Sequence, residues 1–192
     1  MEKSPKNYDV LIIGAGPAGA NAAISYKNLN PNLTVGLVDK AIFPRDKSCG
    51  DAIGPGVISA LKRFNNEHIL DGEPQVVSTT LYGPDNIGIQ NYIPEVKNKE
   101  DSIVYVIPRV DLDNRILDLA KECGVDVYEG YSFVDFTSNL DKSLNVQIKN
   151  ENENLEFLTK ILVGADGANS RIRKKLSYKS NSDWHKAIAI RA

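Results

Sequence analysis

The chain has 192 residues, with 23 Lys and Arg against 25 Asp and Glu, and the resulting net charge of -2 argues against a nucleic-acid partner. Its two cysteines, Cys49 and Cys123, exclude a disulfide framework and a four-cysteine zinc site. The sequence has no run of about twenty apolar residues, so it predicts no transmembrane helix. We therefore expect a cytoplasmic globular protein of one or two domains, and we predict no metal site.

A glycine-rich turn follows the first predicted strand. The nearly all-apolar run from Val10 to Ile13 is typical of a strand buried in a parallel sheet. Gly14, Gly16 and Gly19 follow in the spacing G-x-G-x-x-G. The first permits the tight turn, the second lets the backbone approach a pyrophosphate, and the third lets a helix pack closely on the sheet. This fingerprint explains the alanine-rich stretch better than a signal peptide does.

The next helix and strand complete a nucleotide-binding unit. We predict a helix from about Pro17 to Leu29, and its first turn, which includes Ala18, points free N–H groups at phosphates. A strand from Leu33 to Val38 then ends at Asp39, where a carboxylate accepts hydrogen bonds from an adenosine ribose and disfavours NADP. A glycine-rich turn also occurs in other α/β proteins, but this context predicts an adenine-dinucleotide site.

The middle of the chain changes from helical to β-like patterns. A long loop from Ala41 to Pro55 precedes a helix from Val57 to Phe64. An amphipathic helix then opens at Arg109 and ends at Cys123, before the C-cap Gly124. Its predicted core positions are Val110, Leu112, Ile116, Leu117 and Ala120. Short β-runs are predicted at Val76–Leu81, Ile87–Tyr92 and Ile103–Val106.

The last third of the chain predicts a strand followed by a meander. The predicted strands are Val125–Tyr128, Phe133–Phe136, Leu144–Ile148 and Leu155–Val163, and a further strand begins at Ala187. Asn169 or Ser170 is placed to cap a short basic helix that ends at Leu176. At the other end of the chain, Met1 to Asn7 is expected to be a mobile tail. We predict an α/β protein with a discontinuous dinucleotide-binding domain, residues 1–75 and 102–180. Residues 76–101 and 181–192 would form part of a β-rich domain.

The last predicted strand runs into a second motif, G-A-D-G-A-N-S-R-I-R, from Gly164 to Arg173. Together with the first fingerprint, it resembles the two-dinucleotide-domain flavoproteins of the para-hydroxybenzoate-hydroxylase type. The resemblance implies a Rossmann-like FAD-binding domain, with a parallel sheet and a β-meander, and the start of a β-rich substrate domain. It also implies that Asp166, beside Gly167, hydrogen-bonds the ribityl chain of FAD. Taken alone, the motif is also compatible with a β-turn and an ordinary helix cap.

The loop segment F-P-R-D-K-S-C-G-D, from Phe43 to Asp51, resembles the P-R-x-K-x-C-G segment of the geranylgeranyl reductase branch of that superfamily. The stretch A-I-A-I-R near the C-terminus also resembles this branch. The resemblance implies that Cys49 and Gly50 run beneath the flavin ring. Cys49 is equally compatible with a buried structural thiol.

Four cations are candidates to bind the cofactor. Arg45 and Lys47 are placed to offset phosphate or flavin charge, although solvated loop cations would give the same pattern, and we also include Lys40. Arg109 matches the family's R-x-x-L/F-D region, in which the arginine lies near the flavin or its ribityl-phosphate arm. Alternatively, Arg109 pairs with one of the aspartates Asp111 and Asp113, which favour the first turn of a helix in any case.

The resemblance implies an FAD-dependent oxidoreductase that reduces alkene bonds of an isoprenoid, with NAD(P)H as the electron donor and no obligatory catalytic side chain. An aromatic-ring monooxygenase would share every cofactor residue. A flavin-dependent halogenase should carry W-x-W-x-I-P, and this chain has one Trp.

A third alternative is a dinucleotide-binding fragment without turnover. Proteins of this family are usually about twice as long, so we expect a truncated chain that binds flavin poorly and turns over little. Peripheral membrane contact is suggested only by analogy with lipidic substrates.

Overall fold

The computed structural model describes residues 5–49, 51–92 and 104–176. In chain order, its helices and strands are β1 (Lys6–Ile13), α1 (Pro17–Leu29), β2 (Val35–Asp39), β3 (Ala52–Ile53), α2 (Pro55–Lys62), a 3₁₀ helix (Glu67–Leu70), β4 (Ser78–Tyr82), β5 (Gly88–Tyr92), β6 (Tyr105–Val106), α3 (Arg109–Glu122), β7 (Asp126–Glu129), β8 (Ser132–Ser138), β9 (Leu144–Lys149), β10 (Asn154–Gly164) and α4 (Arg171–Lys175). The 3₁₀ helix was not predicted, and the predicted strand at Ala187 lies outside the described residues.

The described residues divide into two compact units. Residues 5–45 and 113–176 belong to the first unit, and residues 46–49, 51–92 and 104–112 to the second. The predicted domain boundaries are different, because they place residues 46–75 and 104–112 with the dinucleotide-binding domain. Those boundaries stay a prediction, and residues 93–101 and 181–192 lie outside the described parts of the chain.

The first unit is built on a six-stranded sheet with the order β7-β2-β1-β10-β9-β8. Strands β7, β2, β1 and β10 are parallel, and β10, β9 and β8 form the antiparallel meander. This arrangement confirms the predicted α/β class with a parallel sheet and a meander. β2 lies on one side of β1 and β10 lies on the other, so the strand order reverses at β1. In open α/β sheets, ligands bind at the carboxyl ends of the strands where this reversal occurs.

Strand β1 is longer than predicted. Lys6 and Asn7 pair with Phe157 and Leu158 of β10, so the prediction of a mobile tail was wrong for these two residues, while residues 1–4 lie outside the described part of the chain. The polar composition misled the prediction, because a long parallel neighbour provides partners for the backbone whatever the side chains are. The Lys6 ammonium also lies 2.7 Å from Asp126 on β7.

A tyrosine cluster fills one end of the core in the first unit. The Tyr8 hydroxyl lies 2.7 Å from that of Tyr128 and donates a hydrogen bond of 2.9 Å to Asp126. Burial first, and then these two partners, raise the pKa of Tyr8. Gly36, on the strand between them, leaves the space for the ring. A Cβ at that position would lie 2.7 Å from Leu11 Cδ1 and 3.1 Å from the Tyr8 ring.

The second unit contains two small antiparallel pairs, β3 with β6 and β4 with β5. All three β-like runs predicted for this region contain a strand. The β4–β5 hairpin exposes much of its apolar surface, including Leu81, Ile89 and Tyr92. None of the helices in the described ranges has the length and apolar character needed to cross a membrane.

Asp9, on β1, forms hydrogen bonds with residues of both neighbouring strands or their flanks. Its Oδ1 accepts a 2.7 Å hydrogen bond from Lys160 of β10, and its Oδ2 accepts two of 2.9 Å from the backbone and hydroxyl of Thr34, just before β2. The bond from Lys160, followed by those from Thr34, lowers the pKa of Asp9 to about 2.

We expect the substitution Gly36→Ala to lower the free energy of unfolding by about 1–3 kcal/mol, because the new methyl group overpacks a buried site. Urea denaturation followed by circular dichroism measures the change. Gly56→Ala is the matched control, since a Cβ at this α2 position would meet nothing within 4 Å. Equal stabilities of Gly36→Ala and the wild type would contradict this description of the core.

The Asp9 cluster predicts a pH dependence of stability. Because the folded pKa is depressed to about 2, ionised Asp9 stabilises the fold above its unfolded pKa of about 4, and this contribution is lost as the pH falls towards 2. Asp9→Asn should therefore be less stable than the wild type at neutral pH, and the difference should shrink between pH 4 and pH 2. Urea midpoints across this range test it, and a difference independent of pH would contradict it.

Candidate functional site

The carboxyl ends of β2, β1 and β10 lie side by side. Ile13 is in register with Val38 on one side and with Gly164 on the other. Backbone bonds continue past the strands, since Gly14 N donates to Val38 O at 2.7 Å and Ala165 N donates to Ile13 O at 2.8 Å. The first fingerprint, Asp39 at the end of β2 and the second motif therefore meet at one edge of the sheet.

Two glycines of the fingerprint are required by the backbone itself. Gly14 has a φ of 105°, and a Cβ there would lie 2.3 Å from the carbonyl oxygen of Ala165. At Gly19, in the first turn of α1, a Cβ would lie 1.8 Å from the carbonyl oxygen of Gly14. The predicted roles of these glycines in the tight turn and in close helix packing thus correspond to contacts in the structure.

The remaining glycine of the fingerprint, Gly16, lies beside open space. The nearest atom to a Cβ at Gly16 would be Nη2 of Arg45, at 3.4 Å. Gly16 is also the N-cap of α1, has no side chain to satisfy the first-turn amides, and is followed by Pro17 at the first helical position. Ala18 is exposed in the same turn. The backbone amides in the first turn of α1 therefore lie beside the open space at Gly16 and the guanidinium of Arg45.

The carboxylate of Asp39, at the end of β2, is fixed by two backbone hydrogen bonds. Its Oδ2 accepts a 2.7 Å hydrogen bond from the backbone of Ala15, and its Oδ1 accepts one of 2.8 Å from Ala41. A carboxylate has about four acceptor positions, so further donors can still bind. The predicted contact with an adenosine ribose stays a prediction, as does a role for Lys40, which is exposed.

Asp166 has a structural task at the start of α4. Its Oδ1 accepts a 2.5 Å hydrogen bond from the hydroxyl of Ser170, and its Oδ2 accepts one of 2.6 Å from the backbone of Arg171. Ser170 is the N-cap residue and accepts a bond from the backbone of Arg173 at 3.0 Å. These bonds confirm Ser170, not Asn169, as the cap. The predicted ribityl contact of Asp166 stays a prediction, and so does the role of its exposed neighbour Gly167.

Arg45 pairs with an acid that sequence reasoning did not place in the site. Its Nη1 lies 3.1 Å from Oδ2 of Asp113, and its guanidinium stacks over the Phe43 ring at 4.8 Å. Asp113 is completely buried, and its alternative pairing with Arg109 stays a prediction. The missed signal is helical spacing, because Asp113 lies in the stripe that includes Ile116 and Leu117.

Three other predicted site residues, Arg109, Cys49 and Lys47, belong to the second unit. Arg109 is the first residue of α3 and is half-buried. Cys49 is exposed, which disagrees with its alternative interpretation as a buried structural thiol. Lys47 is exposed as well, and Gly50 lies outside the described residues. Their contacts with a cofactor stay predictions.

The residues at this sheet edge fit the diphosphate and ribose of a dinucleotide. A side chain is excluded at Gly14 and Gly19, while the open position at Gly16 adjoins the first turn of a helix. Nη1 of Arg45 is buried and faces Asp113, while Nη2 of the same guanidinium lies 3.4 Å from the position of a Cβ at Gly16. A cationic donor of this kind beside open backbone amides suits a phosphate oxygen.

A family model described as an FAD binding domain matches residues 7–189 of the chain. Menaquinone reductase of Mycolicibacterium smegmatis is 29% identical over 187 residues, which are 95% of this chain and 43% of the relative. Geranylgeranyl diphosphate reductase of Rhodobacter capsulatus is 29% identical over 171 residues, which are 88% of this chain and 40% of the relative. The chain thus spans less than half the length of these relatives.

Two solved structures share the fold. The p-nitrophenol 4-monooxygenase PnpA of Pseudomonas putida matches with a TM-score of 0.78 at 14% identity, over 89% of this chain and 44% of that one. The myxobacterial chondrochloren halogenase CndH matches with a TM-score of 0.72 at 23% identity, over 87% of this chain and 39% of that one. With the glycine fingerprint, the sheet order and the family match in place, the chain belongs to the FAD binding domain family of FAD-dependent oxidoreductases.

Proposed function

We propose that the chain is the FAD-binding part of a reductase that saturates alkene bonds of an isoprenoid substrate. The observation that carries the proposal is the glycine turn at the end of β1, where a side chain is excluded at Gly14 and Gly19 and the space at Gly16 is open. Such a turn, followed by a helix N-terminus, binds a pyrophosphate through backbone N–H groups. We place the protein in the cytoplasm.

In this proposal, each residue of the sheet edge has a binding role. The amides of the first turn of α1 hold the diphosphate, Arg45 supplies a cation beside it, and Asp39 accepts from the adenosine ribose. Asp166, with Gly167, lies near the ribityl chain, and Arg109, Lys40 and the Cys49–Gly50 segment complete the predicted set. When bound, FAD supplies hydride chemistry, so these side chains bind and orient and need not react.

The choice of a reductase rests on the relatives. Those reported above are a menaquinone reductase and a geranylgeranyl diphosphate reductase. The monooxygenase and the halogenase are less than 25% identical and share only the fold. We propose NAD(P)H as the electron donor. One hydride from the donor and one proton from solvent saturate each alkene, and NAD(P)+ is the other product.

The glycine turn predicts that a substitution at Gly16 affects nucleotide binding alone, whereas one at Gly19 also affects folding. Gly16→Ala should keep the fold, because the nearest atom to its Cβ lies at 3.4 Å, but it should lower the affinity for ADP and FAD about tenfold or more by filling the open space. Isothermal titration with ADP, the half of FAD that meets this turn, measures the affinity. Visible flavin absorption that stays with the protein through gel filtration reports on FAD.

Gly19→Ala is the matched comparison. Its Cβ would lie 1.8 Å from the Gly14 carbonyl oxygen, so this variant should lose stability as well as binding. A wild-type chain that is folded but binds neither ADP nor FAD would contradict the proposed cofactor. Unchanged affinity in Gly16→Ala would contradict the proposed position of the diphosphate.

The proposed reaction has a separate test. The chain supplied with FAD and NAD(P)H is incubated with geranylgeranyl diphosphate, and mass spectrometry follows the gain of two hydrogens for every alkene reduced. Oxygen uptake with an aromatic acceptor, without any change in the isoprenoid, would favour a monooxygenase. Turnover of neither substrate by a chain that binds FAD would contradict an activity residing in these 192 residues.

A further inference from the structure

We propose that Asp113 is a positioning residue that holds the Arg45 guanidinium beside Gly16, so that this arginine meets the diphosphate already oriented. The inference rests on the proposed function, because it assigns a partner to one residue of the same site. Nothing in the sequence motifs assigns such a role to Asp113. The structure supports it through burial, two contacts of the guanidinium and the anchoring of the loop.

The burial of Asp113 requires a cationic or hydrogen-bonding environment. Its side chain is completely inaccessible, and it lies on the face of α3 that also buries Ile116 and Leu117. A carboxylate at such a position is strongly destabilising unless it is paired. The guanidinium of Arg45, at 3.1 Å, provides a charge of the opposite sign.

The same guanidinium reaches the glycine turn with a different nitrogen. Nη1 faces Asp113, whereas Nη2 lies 3.4 Å from the position of a Cβ at Gly16. The planar group is also stacked on the Phe43 ring. Since the five N–H donors of an arginine lie in one rigid plane, fixing one edge at the acid directs the other edge towards the turn.

The loop that carries Arg45 is anchored at the carboxyl end of β7. Glu129 accepts a 2.8 Å hydrogen bond from the backbone of Phe43, and the next residue, Gly130, donates one of 3.1 Å to the carbonyl of Ala41. Glu129 is also in register with Asp39 on β2. The backbone near Arg45 is therefore tied to the sheet, and Asp113 fixes the end of its side chain.

Orientation and charge predict opposite effects of removing the acid. Asp113→Asn deletes a negative charge near the proposed diphosphate, which by charge alone would strengthen anion binding. If Asp113 acts by orienting Arg45, the same change should weaken binding, because the side chain must then be ordered when the ligand binds. The sign of the change in affinity decides between these effects.

The experiment is a titration of the 192-residue chain with ADP, and with adenosine as a ligand that lacks phosphates. We expect Asp113→Asn and Arg45→Gln each to weaken ADP binding about tenfold, and the double variant to be no weaker than Arg45→Gln alone. Adenosine binding should not change. Asp118→Asn is the matched control on α3, since this acid pairs with Lys121 at the surface and should leave ADP binding unchanged.

Three results would overturn the inference while the proposed function stands: tighter or equal ADP binding by Asp113→Asn, an equal loss for adenosine, or a full additional loss in the double variant. A wild type that binds no ADP would overturn both proposals.

If Asp113→Asn does not fold, Arg45→Lys takes its place. Lysine keeps the charge, but a single ammonium cannot bridge the acid and the turn, so its ADP affinity should also fall about tenfold. Wild-type affinity of Arg45→Lys would overturn the inference.

Discussion

The close approach of two strand ends is the constraint on which the site depends. β1 and β10 run in register up to Ile13 and Gly164, so both strands leave the sheet at the same level. The backbone of Gly14 then passes so near the carbonyl of Ala165 that no Cβ fits between them. The amides of this turn are bonded to β2, since Gly14 N donates to Val38 and Ala15 N donates to Asp39. Side chains serve mainly to hold this backbone in place.

Carboxylates do much of that holding. Asp39 accepts from two loop amides, Asp166 accepts from the first backbone amide of α4, and Glu129 accepts from the loop before Arg45. Loop amides beside a sheet need acceptors when they are shielded from water, and an ionised carboxylate forms stronger hydrogen bonds than a neutral group. The acids around the site therefore have structural roles in the fold, and the binding roles proposed for Asp39 and Asp166 would come in addition to them.

Most of the fold followed from short-range patterns. Apolar runs, helical spacing and glycine turns predicted the strands, the helices and the meander, because these features depend on neighbouring residues. The fingerprint also predicted which strand end carries the site. The pairing of Lys6 with β10, the space that Gly36 leaves for Tyr8, and the partnership of Asp113 with Arg45 were not predicted. Each depends on a residue distant in sequence, which periodicity does not identify.

The bonds of Asp39 restrict how this family member can evolve a different nucleotide preference. The carboxylate that would contact a ribose also closes a hydrogen-bonded bridge between β2 and the glycine turn, through the amide of Ala15. A substitution that makes room for a 2′-phosphate removes that acceptor at the same time. The altered chain would need a new acceptor for the Ala15 amide before it could use the larger nucleotide. With the proposed role of Asp39 in binding the ribose, nucleotide specificity and the bond to Ala15 would depend on the same side chain.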